Sequence, residues 1–463
     1  MAGRWALPAK PLLRLFHVSS AANRPTSPSG VGRGLLHKPP RARPASPVRR
    51  SLVELLILLG VACDPGDVVL LAPRTGGGAP TLSIHAVLDT PYTALAASLG
   101  WTAGVPGAEV RVHRMDEPYD SSYWHVATAD SSGLATFPGL GGLYEVEVTR
   151  TLSSAEAARA GVRIVAGGRR LYVPGALDVA VVPDQRGALV FSEFELSGPS
   201  QLETGSVYLD AMYFEIYNNS DTTVYLDGKY WGTGWSLLSD FPYWPCAETQ
   251  GVRNDPDGIW AQTIFQFPGG GRQYPLEPGQ TALIAKSAID HRRVYPSLYD
   301  LSHADFEWGG SSNADNPDVP NLQNIGLRLP PIWPVDTDMP EFLAEAVDLS
   351  TLPRYVDPHS GYTWVRIPRD AILDAWVGTA EVPAGVMVTS PPCLEATHRY
   401  FDRLPGPAYR HGDFDAGISY QRRVLMVLPD GRKVLQDTNT SMVDFGNAPR
   451  TPGWIPDSLP APP

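Results

Sequence analysis

Apolar and polar residues alternate through Met212-Tyr213-Phe214-Glu215-Ile216-Tyr217, the period of a half-buried strand. Asn218-Asn219-Ser220-Asp221 then offers a turn. A second β-rich run, Thr222-Thr223-Val224-Tyr225-Leu226, ends at the turn signal Asp227-Gly228. The stretch from Tyr208 to Gly232 therefore predicts strand, tight turn, strand. Similar short runs precede it at Glu109-Val110-Arg111-Val112, Leu134-Ala135-Thr136-Phe137 and Tyr144-Glu145-Val146-Glu147-Val148, each reached through glycine, serine or aspartate. Another follows a linker at Pro183-Asp184-Gln185-Arg186-Gly187, where Ala188 to Leu196 reads as a strand. Leu276-Glu277-Pro278-Gly279-Gln280 reads as a turn feeding the apolar strand Thr281–Ala285. A helix interrupts the pattern where Ser153 and Glu156 have the spacing of a capping box. The expectation is an all-β chain of two β-sandwich domains with few short helices.

Length and composition agree with that class. The 463 residues suffice for two or three domains. Glycine (44) and proline (46) are abundant, aromatics reach 10% and charged residues only 19%, as suits many turns between short strands. No apolar run has the length of a membrane-spanning helix.

Charge divides the chain unevenly. Residues 1–62 hold ten of the 37 basic side chains and one of the 49 acidic ones, so the remainder carries a net charge of −21. So acidic a body repels phosphate backbones and argues against nucleic acid as a partner. It suits cationic ligands or calcium. Residues 1–47 are basic, Pro/Ser-rich and of low complexity, and read as a disordered leader. Val48-Arg49-Arg50 and the apolar run Leu52 to Ala62 then have the layout of an export signal.

The run ends at Cys63 and resembles a bacterial lipoprotein box, which implies lipidation of Cys63. Gly60 and Glu54 depart from the usual pattern. A transit peptide or a short buried helix is the alternative. The other two cysteines, Cys246 and Cys393, form either a disulfide or two buried thiols.

Two longer resemblances organise the rest. Gly104-Val105-Pro106-Gly107-Ala108-Glu109-Val110, Thr128 to Phe137 and Gly142-Leu143-Tyr144-Glu145-Val146 resemble the carboxypeptidase regulatory-like domain. That family is an Ig- or transthyretin-like sandwich that serves as stalk or adaptor. Glu215-Ile216-Tyr217-Asn218, Asp227-Gly228 and the Pro278-Gly279-Gln280 turn resemble the lamin-tail domain, another Ig-like sandwich. With Asp290 to Arg293, Leu301 to Glu307, Ile418 to Val424, Asp430 to Arg432 and Leu435 to Phe445, the likeness is to an uncharacterised bacterial family of surface lipoproteins. The expected domains are a leader and signal (1–62), the first sandwich (63–186), the lamin-tail-like sandwich (187–450) and a Pro-rich tail (451–463).

Candidate chemistry is sparse. There is no GxSxG elbow, HExxH pair, P-loop or dinucleotide fingerprint. Tyr230, Trp231, Trp235, Tyr243 and Trp244 crowd a Gly/Pro-rich stretch and either pack a core or offer flat faces to a sugar or protein. Asp255, Asp257, Asp315 and Asp318 sit in Asx-Pro-Asx sequences that either form turns or offer oxygen ligands to Ca²⁺. His291 and His303, beside Asp290 and Asp305, are too far apart in sequence for a helical metal pair. Gln436-Asp437-Thr438-Asn439 reads as a capping or polar cluster. No resident cofactor is implied.

The functional expectation is an exported, lipid-anchored protein of the bacterial envelope, in the outer membrane or periplasm. It acts as a non-catalytic binding or adhesion module for an envelope protein or a glycan. The competing expectations are a metal-assisted hydrolase using the carboxylates and histidines of residues 255–318, and a purely structural envelope protein.

Overall fold

Leu82, Ile84 and Ala86 are buried along the strand Thr81–Leu88, while Ser83 and His85 between them are partly exposed. That is the two-residue period of a strand with one face on a core. The computed structural model describes residues 81–114, 123–140, 143–172, 176–195, 200–201, 206–234, 255, 257–309, 314–326, 340–356, 361–377, 379–380, 408–409 and 418–457. The chain is mostly β. No helix among the described residues is long and apolar enough to cross a membrane.

Seven strands from the first part of the chain share one core. Trp124–Thr128, Glu109–Arg114, Leu143–Thr151 and Ile164–Tyr172 form an antiparallel ladder. Ala176–Pro183 continues it, then runs parallel to Thr81–Leu88, whose other neighbour is Leu134–Pro138. Alternate positions on these strands meet inside: Val110 and Val112, Val146 and Val148, Val179 and Val181, with Phe137. The predicted turn before Leu134 is an Asx turn, in which the Asp130 carboxylate accepts the N–H groups of Ser132 (2.8 Å) and Leu134 (3.0 Å). Gly104 explains the first glycine of its motif: a Cβ there would lie 2.2 Å from the Ser132 carbonyl oxygen and 2.8 Å from that of Ala86. The capping box at Ser153 and Glu156 is present, heading the helix Ser154–Ala160.

Two further sheets follow and face each other. One runs in the order Phe306–Glu307, Thr281–Ala285, Tyr213–Asn218, Leu189–Glu195, Ile418–Arg422, Phe445–Pro449. The other runs Arg354–Val356, Thr363–Pro368, Gly258–Gln266, Tyr230–Gly234, Pro340–Ala344, Ile372–Val377. Phe191, Phe194 and Phe214 of the first meet Trp231, Phe265, Leu343 and Trp376 of the second in one aromatic-rich core. Phe194 stacks on Trp376 with centroids 4.2 Å apart, and Trp231 on Phe265 at 5.1 Å. This is a sandwich.

Three expectations change. Tyr213–Asn218 is buried on both faces rather than half-buried, because its polar face is covered by other chain segments. Its neighbours are Leu189–Glu195 and Thr281–Ala285. Val224–Tyr225, the expected hairpin partner, pairs with Pro275–Leu276 instead. The Asn218 side chain diverts the chain there, donating to the carbonyls of Thr222 (2.8 Å) and Leu276 (2.7 Å). Finally, the linker at 183–187 is clamped. Gln185 donates its N–H to the Asp437 carbonyl (2.6 Å), and Gly187 donates to the Asp437 carboxylate (2.9 Å).

Candidate functional site

Glu193 and Glu195 project from alternate positions of Leu189–Glu195 onto the face of the sheet opposite the aromatic core, and Glu215 stands directly across from Glu193 on the neighbouring strand. All three are buried. The segment after Phe445–Pro449 covers them. Arg450 Nε lies 2.8 Å from Glu195 Oε2, Thr451 donates its N–H and hydroxyl to Glu193, and Gly453 donates its N–H to Glu215. Ser419 and Tyr213 hydroxyls also donate to Glu193. Burial raises both glutamates above the usual carboxylate range, Glu215 well above, and the Glu193 charge beside Glu215 adds to that rise. The donors on Glu193 offset part of its rise, so Glu215 is the more strongly raised of the two.

This strap builds a surface feature. Thr451-Pro452-Gly453-Trp454 is a β-turn closed by the Trp454 N–H on the Thr451 carbonyl (2.9 Å), with Pro in its second position and Gly453 at φ 82° in its third. Trp454 leaves the turn 59% exposed, the most exposed aromatic side chain among the described residues. Its ring faces the Lys433 ammonium at 5.6 Å. Lys433 Nζ also donates to the Ile455 carbonyl and lies 3.2 Å from Asp457. Ile455 packs against the small cluster of Val190, Tyr217 and Leu435.

Trp454 thereby forms one wall of an open cleft of about 840 Å³. Gln273–Leu276, the start of Thr281–Ala285 and the turn Asp430–Lys433 also line it. Arg432 is held over Gly279, where a Cβ would come 3.0 Å from its Cγ. Its guanidinium pairs with Asp430 (2.6 Å) and Asp221 (3.0 Å), and those contacts hold both carboxyls below the usual range, with Arg186 the first contributor at Asp221. The sequence reading missed Trp454. The available signal was a tryptophan following Pro-Gly where only an extended tail was expected.

The sequence candidates fall elsewhere. Cys63, Cys246, Cys393, Trp235, Tyr243 and Trp244 lie outside the described residues. Tyr230 and Trp231, which the sequence leaves between core packing and a contact platform, are both buried. Trp231 packs between Phe214 and Phe265 and donates its Nε1–H to Glu341 (2.8 Å), while the Tyr230 hydroxyl donates to the Val347 carbonyl (2.8 Å). Trp231 lies in the aromatic core and Tyr230 in a second cluster with Ile259, Ile264 and Phe342, so neither ring is presented to a ligand.

Of the four aspartates, Asp255 closes a turn with its carboxylate. Asp255 accepts from the Asp257 N–H (2.9 Å) and Trp260 Nε1–H (2.9 Å), and lies 3.2 Å from Arg366, so a cation already occupies its charge. Asp257 is exposed. Asp315 accepts from Asn321 (3.1 Å), and the Asp318 N–H donates to Asn316. Asp315 sits below the usual range, first through its hydrogen bond with Glu307. His291 is buried with Nε2 3.0 Å from the Ser287 carbonyl, and burial lowers its pKa, whereas His303 is exposed. Among the described residues no three His, Cys, Asp or Glu side chains gather as a metal-holding set.

Gln436 to Asn439 builds a buried network around Arg422. The guanidinium donates to the carbonyls of Phe191 (2.7 Å) and Gln436 (3.0 Å) and to Asp374 (2.6 Å). Asp437 and Asp444 stand 3.7 and 3.8 Å from it. One buried cation thus faces three carboxyls. Desolvation pushes Asp374 up to about 7 and Asp444 up to about 6, against the pull of Arg422.

No protein-family model matches the chain, and no curated protein matches it. Among solved structures, the chain is similar to a DUF4876 family protein from Bacteroides thetaiotaomicron VPI-5482. The identity is 20% and the TM-score 0.46, over 82% of this chain and 98% of that one. It also has a distant likeness to a candidate adhesin from Bacteroides ovatus ATCC 8483, at 10% identity and a TM-score of 0.16, over 66% and 89% of the two chains.

Proposed function

We propose that this is an exported bacterial envelope protein, lipid-anchored through Cys63, that works as a non-catalytic binding or adhesion module. A carboxypeptidase regulatory-like sandwich (63–186) acts as spacer, and a lamin-tail-like sandwich (187–450) together with the strap at 450–457 carries the binding surface. The basic stretch, apolar run and cysteine at 48–63 support export and anchoring. The acidic body disfavours nucleic acid and leaves an envelope protein or glycan as partner.

The observation that carries the binding role is the cleft beside Trp454. A mostly exposed tryptophan costs solvation unless something covers it, and large aromatic faces at a concave site are where recognition energy concentrates. The full chain, fluorescently labelled and titrated onto isolated bacterial envelopes, is expected to bind saturably, and Trp454→Ala to weaken binding about tenfold or more. Non-saturable retention, or equal retention of the variant, overturns this role for the cleft. Anchoring has its own readout: Cys63→Ser is expected to move the protein out of the membrane fraction, and unchanged fractionation overturns the anchor.

A further inference from the structure

We infer that the cleft beside Trp454 takes a neutral oligosaccharide; this rests on the cleft being the binding surface proposed above. The charges come first. Four charged side chains line the cleft, and each is engaged within the protein. Asp305 accepts the Leu283 N–H (2.8 Å), Arg432 pairs with Asp430 and Asp221, and Lys433 is held by Ile455 and Asp457. The two anions balance the two cations. Binding a sulfated, phosphorylated or uronate ligand would mean breaking one of these pairs, and a polyanion would also meet the net charge of −12 on the chain. An uncharged ligand meets neither cost.

The remaining polar groups suit hydroxyls. Gln273 and Gln280, both exposed, use their amide oxygens to accept the N–H groups of Gly270 (3.1 Å) and Glu277 (2.9 Å), which leaves the NH₂ ends to donate. Thr281 adds main-chain groups. Leu283 directs its N–H and carbonyl away from Tyr213–Asn218, onto the Asp305 carboxylate and the Asp305 N–H (2.8 Å). Outward groups repeat every second residue along a strand, so Thr281 presents its N–H and carbonyl on that same edge, in the cleft. A pyranose can lay its C–H face on the Trp454 indole while its hydroxyls meet these donors and acceptors.

The same edge disfavours a peptide. Strand addition needs a run of alternate free backbone residues. Here Leu283 is taken by Asp305, and the Ala285 carbonyl accepts the Trp308 N–H (3.0 Å), so Thr281 stands alone.

Affinity electrophoresis of the full chain in gels containing a soluble glucan, mannan, galactan or xylan, with heparin as the polyanion, tests the inference. Retardation is expected in at least one neutral polysaccharide and to persist when salt is raised, because no ion pair is formed. Trp454→Ala is expected to weaken it about tenfold or more, and Trp454→Phe to retain part of it, since a flat ring survives. Unchanged thermal unfolding of both variants shows that the fold is intact. Retardation in none of the neutral gels, retardation by heparin alone, or full binding by Trp454→Ala overturns the inference. Envelope binding that depends on Trp454 but resists periodate and is lost on protease treatment of the envelopes leaves the binding role standing and overturns the glycan alone.

Discussion

Thr451 grips Glu193 twice, with its N–H 3.0 Å from Oε1 and its hydroxyl 2.8 Å from Oε2. Through that grip a fully buried carboxylate in the middle of a sheet sets the position of an exposed residue three places further on, Trp454. The relation between core and site is direct here: the strap's path up to Gly453 is set by hydrogen bonds to buried acids. Thr451→Val keeps the shape and the N–H but removes the hydroxyl. It is expected to cost about 1–3 kcal/mol in urea unfolding, the penalty of an orphaned buried acceptor. Faster amide exchange confined to residues 450–457 is the accompanying sign; uniform exchange changes would contradict a strap held from Glu193.

Arg422 is the most demanding group in the fold, a buried cation with three carboxyls around it and two backbone carbonyls on its N–H groups. Arg422→Met keeps an unbranched apolar stem without the guanidinium. Removing it leaves three buried acids without compensation, and the expected loss is about 3–5 kcal/mol, measured by urea unfolding at neutral pH. A near-neutral effect would show that the carboxyls take up protons freely enough to dispense with the guanidinium.

The same cluster makes stability fall as pH rises. Asp374 titrates at about 7 and Asp444 at about 6 in the folded protein. In the unfolded chain both ionise near ~4. Between those values the native state binds more protons than the unfolded state, so the contribution is complete below the unfolded pKa and is lost as pH climbs through about 6 and then about 7. Asp374→Asn removes the larger share while keeping an oxygen for Arg422 and the Phe191 N–H. Its urea midpoint is expected to decline less than that of the parent between mildly acidic and mildly alkaline buffers. Parallel declines would place the titration elsewhere.

How much of this was legible in the sequence follows from how local each feature is. The Ser153–Glu156 cap and the turn leading into Thr281–Ala285 involve neighbours in the chain, and both form where expected. Pairing was not legible. Tyr213–Asn218 looks like half of a hairpin, yet its partner on one side lies more than sixty residues downstream, beyond any local turn signal. Glu193, Glu195 and Glu215 alternate with aromatics and read as a solvent face. They are buried only because Arg450, Thr451 and Gly453 return to cover them, a contact separated by more than two hundred residues. From the sequence, Trp231 beside Gly232 fits core packing and a contact platform alike, because no local signal separates a glycine in a turn from one inside a sheet. Here a Cβ at residue 232 would come 2.5 Å from the Phe342 ring and 2.7 Å from the Thr263 carbonyl, so the glycine serves close packing inside the sheet. The site was hidden because its key aromatic sits in a stretch whose composition reads as tail.

Glu341 gives the last prediction. It stands in the aromatic core, fully buried, with Oε2 accepting the Trp231 indole N–H. Burial lifts its pKa well above the usual carboxylate range, which favours the neutral acid. Glu341→Gln keeps an oxygen for Trp231 and nearly the same volume, but cannot ionise. Where the parent carboxyl is protonated, the variant is expected to match it within about 0.5 kcal/mol, because the carboxyl contributes there only as a neutral hydrogen-bonding group. As pH rises the two separate. The parent loses the stability tied to its raised pKa as pH passes through the folded value, and the variant has no such step. Glu341→Ala instead leaves a cavity and an unpaired indole N–H, and is expected to lose about 2–5 kcal/mol at every pH. Urea unfolding of all three in neutral and alkaline buffers is the check. If parent and glutamine variant decline together on the alkaline side, Glu341 is not the group that burial holds neutral.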